Sequence, residues 1–203
     1  MAVLQTKPRL SEAEYLVIER AAAYKSEFFD GEMFAMAGGS LPHSRIATNL
    51  AIEIGNRLKG RPCVPFNSDL RLKVEASGLI TYPDLSVICG PIEFASGSDD
   101  TVSNPTVIVE VLSPSTEAYD RGAKFDNYRR MPSLQEYLLV SQDAPRVEQF
   151  IRQSGGDWLL RVVAGLESSI ELPSLNISLP LAEVFAGVEF NPSPLRPAAP
   201  PRK

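Results

Sequence analysis

Two acidic residues stand in runs that otherwise read as sheet interior: Asp84 in Tyr82-Pro83-Asp84-Leu85-Ser86-Val87-Ile88, and Glu110 in Val107-Ile108-Val109-Glu110-Val111-Leu112. The second run is β-branched, apolar and bounded by Pro105 and by Ser113-Pro114, the pattern of a strand covered on both faces. An isolated carboxylate in such a place loses roughly several kcal/mol of hydration, so each needs a metal ion, a lysine or both. Asp84 opens its strand and Glu110 lies near the end of the other. If the two strands are antiparallel neighbours, their carboxylates meet at one edge of the sheet. A parallel pairing would separate them by about 16 Å, the rise of five residues. The connector from Gly90 to Asn104 is rich in Gly, Ser and Asp and carries no clear crossover helix. Two carboxylates about 4 Å apart repel by roughly 4 kcal/mol at the effective dielectric of a partly buried site, and a divalent cation reverses that sign.

Lys124 is the candidate cation from the chain itself. On a helix predicted over Thr116 to Arg130, Asp120, Lys124 and Tyr128 are four apart and share a face. If that helix folds back over the end of the Glu110 strand, Lys124 reaches the carboxylates and can stabilise charge on a phosphate or position an attacking water. The same spacing equally describes a surface Asp120–Lys124 ion pair worth about 0.3–0.5 kcal/mol. The basic cluster Arg121, Lys124, Arg129 and Arg130 likewise reads either as a local anion patch or as a solvated face partnered by Asp120 and Asp126.

Other chemistries find less support. The single histidine, His43, follows Pro42 near a helix start, where a structural role competes with catalysis, and no Gly-x-Ser-x-Gly elbow accompanies it. Gly38-Gly39 lacks the lysine and spacing of a phosphate-cradling loop, and no dinucleotide fingerprint follows a strand. Cysteine and histidine spacing builds no zinc site, which leaves hard oxygen ligands and Mg²⁺ or Mn²⁺.

The elements that must position these residues follow from local pattern. Ser11-Glu12-Ala13-Glu14 caps a helix that runs to about Tyr24. Lys25 to Ala37 carries strand residues around the turn signal Asp30-Gly31. A second helix follows Gly38 to Pro42, with Ile46, Leu50, Ile54 and Leu58 as its apolar stripe. Strands are expected from Val64 through Val74, over Thr81 to Cys89, Thr106 to Leu112 and Glu136 to Val140. Two more, Arg146 to Gln153 and Asp157 to Val163, flank Gly155-Gly156, and a short helix lies near Leu181 to Phe185. The sum is a mixed central sheet flanked by helices, an α/β arrangement closer to a nuclease core than to a doubly wound nucleotide fold.

At 203 residues the chain suits one domain, expected over 11–190, with an N-terminal extension over 1–10 and a proline-rich, disordered tail over 191–203. With 44% apolar and 22% charged residues the composition is that of a globular protein, and neither a secretory leader nor a membrane-length apolar segment is present. A cytoplasmic protein with no membrane partner is expected, and Cys63 and Cys89, in apolar strand contexts, are expected to be buried free thiols. The formal charge of −5 argues against coating nucleic acid by bulk electrostatics.

Taken together, Pro83-Asp84 followed by Glu110-Val111-Leu112 resembles the PD-(D/E)xK nuclease signature, with the lysine position occupied by Leu112. More specifically, the chain resembles the Uma-two family of bacterial restriction-endonuclease-like proteins. The resemblance rests on Phe29-Asp30-Gly31-Glu32, Met36-Ala37-Gly38-Gly39-Ser40 with His43, Tyr82-Pro83-Asp84, Val109 to Ser115, Lys124 with Tyr128, and Glu136 to Val140, and it spans Ser11 to Phe185. It implies a restriction-endonuclease-like core, Asp84, Glu110 and the Val111 backbone carbonyl as ligands of Mg²⁺ or Mn²⁺, and Lys124 in place of the lysine absent at 112. Glu32, Glu27 and Asp69 are further acidic candidates, and Tyr128 and His43 further site residues. The implied activity is metal-assisted hydrolysis of DNA phosphodiester bonds, carried out by a homodimer if both strands of a duplex are cut. The alternatives are a catalytically silent DNA-binding or interaction module that keeps the fold, and a hydrolase that uses His43 without a metal.

Overall fold

The structure, a computed structural model, describes residues 9–190. The expected proline-rich tail and most of the N-terminal extension lie outside the described residues. Helix α1 (Glu12–Ala21) leads into the hairpin β1 (Ser26–Phe29) and β2 (Glu32–Ala35), then helix α2 (Leu41–Leu58). Five strands follow: β3 (Cys63–Asn67), β4 (Arg71–Val74), β5 (Leu79–Thr81), β6 (Leu85–Cys89) and the short β7 (Thr101–Val102). After β8 (Val107–Val111) comes a broken helical segment made of α3 (Glu117–Tyr119), a π-helical turn (Asp120–Lys124) and α4 (Phe125–Tyr128). The chain closes with β9 (Glu136–Val140), β10 (Arg146–Arg152), β11 (Trp158–Ala164), β12 (Ser169–Leu172), β13 (Ile177–Pro180) and α5 (Leu181–Val184).

Local chemistry sets several boundaries. Ser11 and Glu14 form a full capping box at the start of α1. Asp30 and Gly31, with φ of 49° and 81°, make the two-residue turn in which Phe29 pairs with Glu32. Ser40 caps α2 by accepting from the His43 amide.

The central sheet has the order β11-β10-β9-β8-β6-β3 and is antiparallel except for β8 beside β9. A second sheet, β2-β1-β5-β4-β7, lies against one of its faces, and β12 and β13 form a separate hairpin. On β8 the alternation of side chains sends Val107, Val109 and Val111 into a core shared with Ile46, Leu50, Ile54 and Leu58 of α2. Ile108 and Leu112 go the opposite way, into a core with Leu72, Val74 and Leu79 of the second sheet and Tyr128 and Tyr137. Glu110, between them in sequence, therefore points at the second sheet and the helical segment. Among the described residues no helix is long and apolar enough to cross a membrane.

Four expectations need correction. The stretch from Val64 to Val74 turns at Ser68-Asp69, and its halves join different sheets. The stretch from Thr81 to Cys89 is interrupted at Tyr82-Pro83-Asp84, because proline donates no ladder hydrogen bond. The helix expected over Thr116 to Arg130 is not uniform α-helix: its middle widens into the π-turn that carries Asp120 and Lys124. Cys63 and Cys89 are not free thiols. They sit directly opposite in the β3–β6 register, Cα atoms 3.9 Å apart, and form a disulfide. Their pairing depends on a strand partnership that residue context alone does not reveal.

Because α2 delivers its N-terminal turn to the end of the central sheet through the Ile46 to Leu58 stripe, that stripe should control stability. Leu50→Ala, at a site 1% exposed, is expected to cost about 2–5 kcal/mol, measured as a lower urea midpoint.

Candidate active site

Strands β6 and β8 are antiparallel, with Leu85 opposite Val109, so the residue before β6 lies beside the C-terminal end of β8. That register brings Asp84 and Glu110 together. The Val111 amide donates to Asp84 Oδ2 at 2.7 Å, and the Asp84 amide donates a longer contact to Glu110 Oε2 at 3.4 Å. The Asp84 carboxylate is thus tied to the backbone of the residue after Glu110, and the Glu110 carboxylate to the Asp84 backbone, at one edge of the sheet.

The other oxygen of Glu110 faces inward. Lys124 Nζ lies 2.9 Å from Glu110 Oε1, 3.1 Å from Glu27 Oε1 and 3.5 Å from Asp120 Oδ1. Tyr128 donates its hydroxyl to Glu110 Oε1 at 2.9 Å, and Thr81 donates its own to Glu27. Tyr137 closes the base of the cluster by donating to the Asp120 backbone carbonyl at 3.0 Å. Lys124 lies 5.8 Å and 6.0 Å from the ring centroids of Tyr119 and Tyr128, which line its ammonium with aromatic surface. At the outer side, His43 Nε2 stands 3.1 Å from Asp84 Oδ2. Asp84 and His43 are the partly open members of the site, with side chains 20% and 16% exposed.

Burial and charge set the protonation states. Burial pushes the Glu110 carboxyl up to about 8, a rise that Lys124 opposes and the charges of Asp84 and Asp120 reinforce. Burial also raises Asp120, against the pull of Lys124. For Lys124, burial alone favours the neutral amine, but the charges of Glu110, Glu27 and Asp120 outweigh it and hold the ammonium well above its ordinary range. Lys124 is therefore a fixed cation at neutral pH and not a proton acceptor. His43 is raised by its hydrogen bond to Asp84, with burial opposing.

Most of the residues singled out from sequence converge here: Asp84, Glu110, Val111 through its backbone, Lys124, Glu27, Tyr128 and His43. Two do not. Asp69 pairs with Lys25 at 2.5 Å and is largely solvent-exposed. Glu32 is exposed on β2. In the basic cluster, Arg121 pairs with Glu117 and Glu148, Arg129 with Asp126, and Arg130 is exposed, while Lys124 lies in the site. Sequence reasoning understated Asp120, a third acid at the ammonium, although its place one helical turn before Lys124 was visible. Thr81 and Tyr119 gave no signal, because their partner Glu27 lies on a distant strand.

Among the described residues no three His, Cys, Asp or Glu side chains form a ready-made metal cluster. Four carboxyl groups, Asp84, Glu110, Glu27 and Asp120, surround one ammonium and one imidazole.

Mixed sheets flanked by helices make this a mixed α/β fold. The crystal structure of "a putative nuclease belonging to DUF820" from Anabaena variabilis superposes with a TM-score of 0.69 at 20% identity, covering 85% of this chain and 96% of that one. Residues 12–182 match the Uma2 family, described as "Putative restriction endonuclease", and the chain belongs to that family. Two Synechocystis relatives, "Uncharacterized protein slr1290" and "Uncharacterized protein sll1609", are 40% and 39% identical, over 90% and 87% of this chain and 95% and 100% of their own lengths.

The raised Glu110 carboxyl has a thermodynamic consequence. Between an unfolded value near 4.5 and a folded value of about 8, the folded state holds a proton that the unfolded chain has released. Stability contributed by this proton is full below the lower value and is lost as pH rises toward the upper one, by up to ~1.4 kcal/mol per pH unit. In metal-free buffer Glu110→Gln should lack this slope, so its melting temperature should gain on the wild type as pH rises from 5 to 8.

Proposed function

We propose that this chain is a divalent-metal-dependent endonuclease that hydrolyses DNA phosphodiester bonds. The observation that carries the reading is the junction of Asp84, Glu110 and Lys124 at one end of the β6–β8 pair. Asp84 and Glu110 would hold Mg²⁺ or Mn²⁺ together with the Val111 backbone carbonyl, since small hard dications use few carboxylates and keep several waters. The bound ion would supply an activated water and neutralise charge on the phosphate.

The chain's own residues supply position and electrostatics. Leu112 occupies the strand position where the signature has its lysine, and side-chain alternation puts it on the same face of β8 as Glu110. An ammonium delivered from the π-turn, 2.9 Å from Glu110, serves the same region of space, so the displacement in sequence is small in three dimensions. Lys124, 2.9 Å from Glu110, orients that carboxyl and would stabilise negative charge building on the phosphoryl oxygens. Tyr128 and Thr81 hold Glu110 and Glu27 in rotamers that face the ammonium. Cutting both strands of a duplex requires two such sites, which favours a symmetric dimer.

Purified protein should nick supercoiled plasmid when Mg²⁺ or Mn²⁺ is added and stop when EDTA is added. Asp84→Asn and Glu110→Gln should each slow nicking by on the order of 100-fold or more while keeping a cooperative melting transition. Nicking that survives both chelation and Glu110→Gln would overturn the proposal.

A further inference from the structure

The hairpin β10–β11 leaves one flank of the central sheet bare. β11 is the terminal strand in the sheet order, seven residues long, and among the described residues nothing pairs with its outer edge. The Gln153 amide donates to the Asp157 carbonyl at 2.8 Å and the Gly165 amide to the Pro145 carbonyl at 2.9 Å. Antiparallel pairs alternate between bonded and non-bonded, so the odd-numbered residues of β11 bond β10. Trp158, Leu160, Val162 and Ala164 therefore turn their amides and carbonyls outward. Leu159, Leu160 and Val162 are 47%, 49% and 45% exposed, so apolar surface flanks this open ladder on both faces. At the opposite edge of the sheet β3 carries Pro65, which breaks the row of donors. β11 contains no proline and one charged residue, Arg161. Residues 191–203 are poor occupants of the edge, since their five prolines cannot donate to a ladder.

We propose that the outer edge of β11 pairs antiparallel with β11 of a second copy of this chain, about a two-fold axis at Leu160. An edge strand paired with itself is self-complementary, as a two-fold interface requires. Charge selects the register among those that use the outward-facing groups. An axis at Arg161 sets two guanidinium groups opposite each other, and an axis at Val162 sets Asp157 opposite the partner's Glu167. An axis at Leu160 avoids both. It joins Leu160 to the partner's Leu160 and Trp158 to the partner's Val162, and it lays Arg161 beside the partner's Leu159, with the partner's Asp157 next on the same face. Asp157 and Arg161 are both exposed and free to meet in this way. The axis is normal to the sheet, so both copies carry the Glu110 face on the same side. The inference gives the dimer favoured above a particular interface, and its support is independent of any nuclease activity.

Sedimentation equilibrium of the full chain over a micromolar dilution series should show a reversible monomer–dimer equilibrium. Leu160→Lys sets two ammonium groups together at the axis, and Val162→Pro removes an outward donor while sparing the bonds to β10. Each should weaken the dimer by ~10-fold or more while the melting transition stays cooperative. Arg161→Asp should weaken it by about 3-fold, and Asp157→Arg combined with Arg161→Asp should restore it. A wild type that is monomeric throughout, its edge bare or covered by residues 191–203, overturns the proposal. So does a dimer indifferent to both Leu160→Lys and Val162→Pro, or assembly beyond two copies. If those two variants dissociate the dimer but the charge exchange does not rescue Arg161→Asp, the interface holds and the register is wrong. None of these readouts involves nicking, so failure here leaves the metal-dependent reading to its own test.

Discussion

The arrangement of this molecule depends on one buried ammonium. Lys124 satisfies Glu27 from β1, Glu110 from β8 and Asp120 from its own helical segment, so three separately folded pieces meet at one charge. Burying these ions carries a desolvation cost that mutual attraction offsets only when the geometry is good and the remaining lone pairs are bonded. The hydroxyls of Tyr128 and Thr81 meet that requirement. Without Lys124, three carboxylates would share one desolvated space, and without the carboxylates the ammonium would be isolated. The cluster therefore ties the second sheet, the central sheet and the helical segment together through contacts to one ammonium.

That cluster is also unbalanced. Its surplus of acid over base appears as the raised proton affinity of Glu110 and Asp120, a pattern expected of sites that trade stability for chemistry.

Much of this was legible from residues alone. The α2 stripe and the Ser11 capping box followed from periodicity and cap chemistry, whereas the meeting of Asp84 and Glu110 was one of two pairings the sequence allowed, and the antiparallel register decides it. What escaped was non-local. Nothing near Cys63 announces that β3 returns across β6 to face Cys89, and nothing near Glu27 marks it over Glu32 or Asp69, because strand pairing decides which acid turns inward. The β12–β13 hairpin also went unread: Ser169 to Leu172 and Ile177 to Pro180 are four residues each, too short for periodicity to declare. The π-turn escaped because its residues fit ordinary α-helical spacing, and the extra width arises from packing.

That packing explains how a leucine can occupy position 112. Leu112 is buried in the core formed with Tyr128, Tyr137 and Leu139, so the strand contributes apolar mass where the signature places a charge. The charge arrives instead on the helical segment, which is anchored immediately after Lys124 by Phe125. The Phe125 ring stacks on Tyr137 at 5.2 Å, tilts against Phe150 at 4.4 Å and meets the edge of Trp158 at 5.3 Å. Rings from β9, β10 and β11 thus position the residue next to the proposed catalytic cation. A lysine on the strand would be placed by the β8 backbone itself. Here its position is inherited from aromatic packing across three further strands, and the π-turn is the local widening that lets one short segment seat Phe125 in that stack while Lys124 and Asp120 remain at Glu110.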